Sequence, residues 1–155
     1  MTQPALAVHD VSRDVQGVVT GTPVLTAEGA LPVEYLAAGD RVVARSGLRV
    51  LRGISVRVIR RAALVRIGSG TLGIGRPDAD VLVPAGQPVL IRDWRAQAMF
   101  GTPTAMIAAS RLVDGHLIRH EAQCDVRIYA LQFDAPEVVH AGGLELGCRP
   151  QRVTA

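Results

Sequence analysis

The stretch "GVVTGTPVLTAEGALPVEYLAAGDRVV" (residues 17–43) alternates short apolar runs with closely spaced turn residues. Gly21-Thr22 stands just before a predicted strand, Glu28-Gly29 predicts a turn after it, and Gly39-Asp40 predicts a turn before a second strand. Residues 34–40, "EYLAAGD", predict a single helical turn that ends at the glycine. The stretch contains no cysteine and no histidine, so it predicts a scaffold of strands and turns with no evident reactive side chain.

The composition of the whole chain favours one all-β domain. A chain of 155 residues can bury a core without disulfides or metals. Hydrophobic residues make up 48% of the chain but aromatic residues only 3%. The core must therefore consist of Val, Leu, Ile and Ala, and Val and Ile favour strands. The 16 glycines and 9 prolines are spread along the chain, which is typical of many short strands joined by tight turns.

The rest of the sequence continues this pattern of strands. Residues 48–67 alternate apolar and polar side chains, and "DVLVPAGQPVLIRDW" (80–94) predicts two strands separated by a Pro-Ala-Gly turn. Residues 124–135 and 137–146 predict closing strands. The best candidate for a helix is "PTAMIAASRLVDG" (103–115), which has apolar residues at helical spacing and ends at Asp-Gly.

The basic residues of the chain are all arginines, and the formal net charge of +3 is mild for this length. A stripe of arginines alternates with apolar residues within residues 48–67, which predicts the exposed face of a strand pair. The alternative is a nucleic-acid surface, since arginines can follow phosphates, although no aromatic residues for base stacking are interleaved with them. The arginine stripe consists of Arg49, Arg52, Arg57, Arg60 and Arg61.

Histidines and aspartates offer few candidates for metal or acid–base chemistry. His116 and His120 are four residues apart, which on a helix suits a metal, but the alternation around them predicts exposed positions on a strand. No third ligand stands at a suitable spacing, so no metal site is predicted. His140 is predicted to be a half-buried structural residue, and Asp78 and Asp80 are predicted to form a turn.

The two cysteines, Cys124 and Cys148, are far apart in sequence and form no CxxC motif. Two thiols are too few for a zinc-finger site, and whether they form a disulfide stays open at this stage. Cys148 could serve as a nucleophile beside a general base, but no base or oxyanion donor can be assigned from its sequence neighbours. No cofactor is predicted.

Residues 1–16 predict a polar N-terminal arm that has neither the basic region nor the apolar region of a signal peptide. No uncharged apolar run has the length of a membrane span. We therefore expect no membrane association and a protein that is cytoplasmic or part of a larger assembly.

The motifs of the opening stretch resemble the first sequence block of the Hint domain, which inteins and the Hedgehog autoprocessing domain share. Gly21-Thr22, the Glu28-Gly29 turn and "AGDRVV" (38–43) stand in the order of that block. "DADVLVPAGQPVLI" (78–91) resembles the second block, and "RIYALQFDAPEVVHAGGLELGC" (127–148) resembles the last two.

This resemblance extends over residues 17–148 and is greatest to bacterial stand-alone Hint proteins. It implies an all-β, horseshoe-like Hint fold with one or two short helical segments. Residues 149–155 are then expected to form a C-terminal tail outside the domain.

In the Hint family the domain acts on its own chain. A Cys or Ser at the first position attacks the preceding carbonyl carbon in an acyl shift, and a histidine three residues after a Thr or Ser in the second block activates the peptide bond. Inteins add a histidine in the penultimate block and a terminal His-Asn pair whose asparagine cyclises. The resemblance implies nucleophilic catalysis with acid–base assistance and oxyanion stabilisation.

This sequence departs from the family at each of those positions. The nucleophile position is Gly17, which has no side chain to attack with. The second block has Pro84 and Gln87 in place of its Ser/Thr and its His, and glutamine cannot exchange a proton near neutral pH. The penultimate histidine position is Pro136, and the terminal pair is Gly147-Cys148.

These departures predict a catalytically degenerate Hint domain, a non-enzymatic structural, assembly or binding module with a protein partner or with itself as partner. Two alternatives stay open. One is an active self-processing domain that uses unexpected residues, such as Thr20 or Cys148; Thr20 and Thr22 carry the hydroxyls near Gly17 in the sequence. The other is a small β-barrel module that binds nucleic acid through the arginine stripe.

Overall fold

The computed structural model describes residues 15–150, which form two antiparallel sheets, one α-helix and two short 3₁₀ segments. The all-β prediction is confirmed. Within this described range, no helical segment has the length and apolar character needed to cross a membrane.

The smaller sheet is built around a long ribbon of two strands. Its members, in spatial order, are β1 (Val18–Val19), β10 (Ile118–Gln132), β6 (Gly53–Ile67) and β7 (Val81–Pro84). β6 and β10 have 15 residues each and pair along their whole length. This ribbon confirms the strand predicted from the alternating pattern, and it positions the short β1 beside the end of β10.

The larger sheet contains eight strands, including three of the four strands that begin in the opening stretch. Their spatial order is β3 (Gly29–Pro32), β2 (Pro23–Thr26), β4 (Arg41–Ala44), β11 (Glu137–Ala141), β12 (Leu144–Cys148), β8 (Pro88–Ile91) and β9 (Ala105–Ala108), with β5 (Gly47–Val50) paired to β4. The predicted helical turn at residues 34–40 overlaps a 3₁₀ segment at Val33–Tyr35.

The helix predicted at residues 103–115 is wrong. This segment forms β9 and a 3₁₀ segment at Ala109–Leu112. Ile107 is buried and its neighbour Met106 is exposed, as expected for a strand with one face on the core. Antiparallel pairing of β9 with β8 therefore overrides the local apolar spacing.

The α-helix lies instead at Trp94–Phe100, which we label α1. The Asp93 carboxylate accepts a hydrogen bond from the backbone N–H of Arg95 at 2.9 Å and caps the helix start. Gly101, with a left-handed φ of 69°, ends the helix. Both caps stand in the sequence "DWRAQAMFG" (93–101), so their spacing could have located this helix.

Buried apolar side chains form two clusters. The larger one contains residues of both sheets, such as Val65 and Val139. The smaller one joins β1, β6 and β10, and it includes Val15, a residue of the segment that the sequence assigned to the N-terminal arm. The smaller cluster consists of Val15, Val19, Ile59, Ala62, Leu64, Val126 and Ile128.

The Leu64→Ala substitution tests how far stability depends on the smaller cluster. Leu64 is fully buried, so its truncation should lower the free energy of unfolding by about 2–5 kcal/mol through lost burial and a cavity. The matched control is Leu48→Ala, because Leu48 is 48% exposed and its truncation should change stability by less than about 0.5 kcal/mol. Urea unfolding midpoints measure both effects, and equal losses would contradict the assignment of the core.

Candidate functional site

A cleft of about 270 Å³ lies where the first and last strands of the domain meet. Four of the six positions at which the sequence departs from the family line it, namely Gly17, Gln87, Gly147 and Cys148. Pro84, at the end of β7, and Pro136, which is exposed in the connection between β10 and β11, do not contribute to the lining. The structure thus brings together positions that are up to 131 residues apart in sequence, from Gly17 to Cys148.

The side chain of Gln87 joins the two ends of the domain. It is 1% exposed, and its Oε1 accepts a hydrogen bond from the backbone N–H of Gly17 at 2.7 Å. Its Nε2 donates to the carbonyl oxygens of Gly147 at 2.8 Å and Pro88 at 2.9 Å. The Gln87 backbone N–H donates to the Pro84 carbonyl at 3.0 Å and closes the predicted Pro-Ala-Gly turn. Both side-chain donors are therefore used within the domain.

The backbone at Gly17 leaves no room for a larger residue. Its φ of 146° lies outside the range that other residues readily adopt. A Cβ atom added here would lie 2.7 Å from the carbonyl oxygen of Tyr129 and 2.8 Å from a side-chain carbon of Ile128. A cysteine or serine at this position would require β1 to move away from β10.

The other candidate nucleophiles are poorly placed or protonated. Thr20 and Thr22 do not line this cleft but a second, larger cavity. Cys148 does line the cleft, but burial and, secondly, the Glu137 carboxylate raise the pKa of its thiol to about 12. Because the thiolate is the reactive form of cysteine, this raised pKa disfavours attack by Cys148 at neutral pH.

The larger cavity, about 710 Å³, is lined by arginines and carboxylates that pair with one another. Arg92 lies 2.6 Å from the buried carboxylate of Glu145. Arg66 donates two hydrogen bonds to Glu121, at 2.6 and 2.9 Å, and these are the main reason why the pKa of Glu121 falls to about 2. His140 is half-buried at the cavity wall, as predicted. The charges of this cavity are thus largely balanced by internal ion pairs.

The cysteines and histidines considered for a disulfide or a metal site do not come together in the structure. Cys124 is exposed on β10, Cys148 is half-buried on β12, and both are free, so the disulfide left open by the sequence does not form. His120 is exposed on β10, as predicted, but the strand position predicted for His116 is wrong, because His116 lies in the exposed bend before β10 begins at Ile118. Within residues 15–150, no group of three His, Cys, Asp or Glu side chains lies close enough to hold a metal.

The arginine stripe is exposed, as predicted, but it is divided between two sheets. Arg49 lies on β5, and its Nε donates to the Ser46 hydroxyl at 2.8 Å near the Glu137 carboxylate. Arg52 donates to both oxygens of Asp134. The remaining arginines of the stripe lie on β6 of the other sheet. The stripe therefore does not form one continuous row of unpaired charges.

Comparison with known proteins agrees with this arrangement of strands around a cleft. A model of the Hint domain family matches residues 17–147. The chain belongs to the Hint domain family. The match begins at Gly17 and ends at Gly147, the two residues that Gln87 joins. A search of the curated proteins finds no match.

Solved structures of Hint and intein domains share this fold. A bacterial intein-like domain from Clostridium thermocellum aligns with a TM-score of 0.61 at 18% identity, covering 88% of this chain and 99% of that domain. The gp41-1 intein has a TM-score of 0.56 at 10% identity, covering 85% and 98%. The Msm DnaB1 intein splicing domain, solved with zinc bound, has a TM-score of 0.54 at 14% identity, covering 83% and 98%. At such identities the likeness establishes the fold alone.

Ser55 and Arg149 of the cleft were not predicted as site residues, and Arg57 was predicted only as a member of the arginine stripe. Arg57 and Ser55 of β6 and Arg149 after β12 line the cleft together with Gly17, Gln87, Gly147 and Cys148. The presence of Arg57 and Ser55 follows from the pairing of Arg57 with Ile128 and of Ser55 with Ala130. This register depends on where two distant strands align, which the sequence of either strand does not specify.

The Gln87→Leu substitution tests the junction between the two ends. Leucine has a similar volume but removes the hydrogen-bond partner of the Gly17 N–H and of two carbonyl oxygens. Each buried polar group left without a hydrogen bond lowers the free energy of unfolding by roughly 1–3 kcal/mol. We expect the free energy of unfolding to fall by at least about 2 kcal/mol and the Gly17 amide to exchange its hydrogen faster. The control is Gln97→Leu on the exposed side of α1; an equal loss in both variants would contradict the role of Gln87.

The two thiols should differ in reactivity. Because the pKa of Cys148 is raised to about 12, its thiolate is scarce at pH 8 and increases only as the pH rises toward that value. Iodoacetamide at pH 8 should therefore modify the exposed Cys124 and leave Cys148 intact, as measured by peptide mapping. In the Cys124→Ala variant, modification should be nearly absent; rapid labelling of that variant at pH 8 would contradict the neutral thiol.

Proposed function

We propose that this chain is a Hint domain that does not process itself and that acts as a non-enzymatic binding or assembly module. The observation that carries the proposal is the hydrogen-bonded side chain of Gln87, held between Gly17 and Gly147. These are the positions at which the family resemblance implies a nucleophile, an activating histidine and a terminal histidine. All three lie in one cleft, and none has a side chain able to perform those steps.

Self-processing needs a nucleophile and a group that transfers a proton to the leaving amine. Gly17 has no nucleophile, and the contacts around it leave no space for one. A neutral amide such as Gln87 does not act as an acid or base near pH 7, and both of its N–H donors already bind carbonyl oxygens. The cleft therefore has the shape of a reaction site without the groups that the reaction needs.

The rival proposal, cleavage through unexpected residues, has weaker support. Thr20 and Thr22 lie on the larger cavity, away from Gln87. Cys148 is protonated at neutral pH because its pKa is raised to about 12. Each candidate nucleophile thus lacks either the position or the ionisation state for attack.

The same geometry supports a role in assembly. The Gly17 N–H and the Gly147 carbonyl bind one side chain, so the chain enters and leaves the domain at one point. A domain that holds two flanking segments together without cutting them can bring those segments side by side. The exposed β5 and the exposed Trp94 on α1 provide further surface for contacts.

Intact mass spectrometry tests the proposal on the full-length chain. We expect only the full-length mass after long incubation, including in dithiothreitol or hydroxylamine, which would intercept a thioester or ester intermediate. The physical reason is the absence of a nucleophile at Gly17 and of a proton donor at Gln87. A break before Gly17 or after Gly147 would overturn the proposal, and Thr20→Ala and Cys148→Ala variants would then identify the nucleophile.

A further inference from the structure

The cleft at Gly17 is distinguished from the larger cavity by its charge. The charged side chains that line it are Arg57 and Arg149, and no carboxylate lines it. Both arginines are exposed, and neither has an ion-pair partner among residues 15–150. In the larger cavity, by contrast, Arg66 and Arg92 face carboxylates at 2.6 Å.

The neutral groups of the cleft add a hydrogen-bond donor. The Ser55 hydroxyl oxygen accepts a hydrogen bond from Gln132 Nε2 at 2.7 Å, so its O–H proton is left to donate to a ligand. Gln87 has both donors occupied and does not compete. The Cys148 thiol, whose pKa is raised to about 12, is uncharged at neutral pH and does not repel an anion.

The remaining wall of the cleft is apolar. Ala130 and Pro150 give it accessible apolar surface, and behind them stand four side chains of which only small fractions are exposed, namely Val18, Ile128, Leu131 and Leu146. A ligand that combines an anionic group with an aliphatic part would match both the arginines and this wall. The volume of about 270 Å³ is close to the lower end of the usual range for ligand sites, roughly 300–1,000 Å³. It therefore suits one terminal residue rather than a folded surface.

We propose that this cleft binds the carboxylate of a short peptide segment, with Arg57, Arg149 and Ser55 as donors and the apolar wall around the adjoining side chain. The planar guanidinium group forms paired hydrogen bonds with carboxylates. This inference rests on the proposed function, because a cleft that performs no chemistry on its own chain is free to bind a segment of another chain. It specifies the ligand class for the binding module.

The test is a titration of the full-length protein with acetyl-Ala-Leu, which has a free C-terminal carboxylate, followed by amide NMR. We expect saturable shifts at Gly17, Ser55 and Gly147. The C-terminal amide of the same dipeptide should bind at least about tenfold more weakly, because it lacks the charge that strengthens hydrogen bonds to arginine. The Arg57→Gln/Arg149→Gln variant should lose binding by a similar factor, while Arg60→Gln, an exposed arginine of β6 outside the cleft lining, should leave it unchanged.

Three results would overturn the inference. They are equal binding of the carboxylate and amide forms, shifts centred on the larger cavity, and tighter binding of inorganic phosphate than of the dipeptide. Spectra of the variants that overlay outside the cleft establish that the fold is intact. The intact mass of the same sample tests the proposed function separately, since an uncleaved chain that fails to bind the dipeptide overturns only this inference.

Discussion

The hydrogen bonds of the Gln87 side chain hold together the beginning, the middle and the end of this domain. Gln87 stands between β7 of the smaller sheet and β8 of the larger one, and it binds the residue before β1 and a residue of β12. A single buried amide therefore links the two sheets and the two ends of the Hint-matched region. Because it is fully hydrogen-bonded, it avoids the penalty of a buried polar group.

The geometry at Gly17 depends on this link. Glycine allows β1 to approach the Tyr129 carbonyl more closely than a Cβ atom would permit, and the same approach places the Gly17 N–H against Gln87. In the proposed non-cleaving domain, the two departures from the family, Gly17 and Gln87, support each other. Glycine permits the close approach, and the neutral side-chain amide of Gln87 accepts the hydrogen bond from the Gly17 N–H. A nucleophile at one position would disturb the packing that the other position stabilises.

Much of the fold and of the cleft could be predicted from the sequence because their signals are local or ordered along the chain. The turns at Glu28-Gly29 and Gly39-Asp40 and the alternation before Ile67 are signals that extend over a few residues. The order of the motifs located four residues of the cleft, Gly17, Gln87, Gly147 and Cys148. The helix at residues 103–115 was wrong because pairing with β8 decided its structure. Arg57 was predicted only as part of the arginine stripe, and its place in the cleft was missed because it depends on the register of distant strands.

The distribution of arginine partners separates structural charge from charge available for binding. Arg52, Arg66 and Arg92 each contact a carboxylate within 3.0 Å, so their charge is largely used within the fold. Arg57 and Arg149 have no such partner among residues 15–150, and both line the cleft beside Gly17 and Gly147. Two like charges in one small cleft repel each other, and an anion that reaches both relieves this repulsion. The cleft thus differs from the larger cavity in that its lining includes two arginines and no carboxylate.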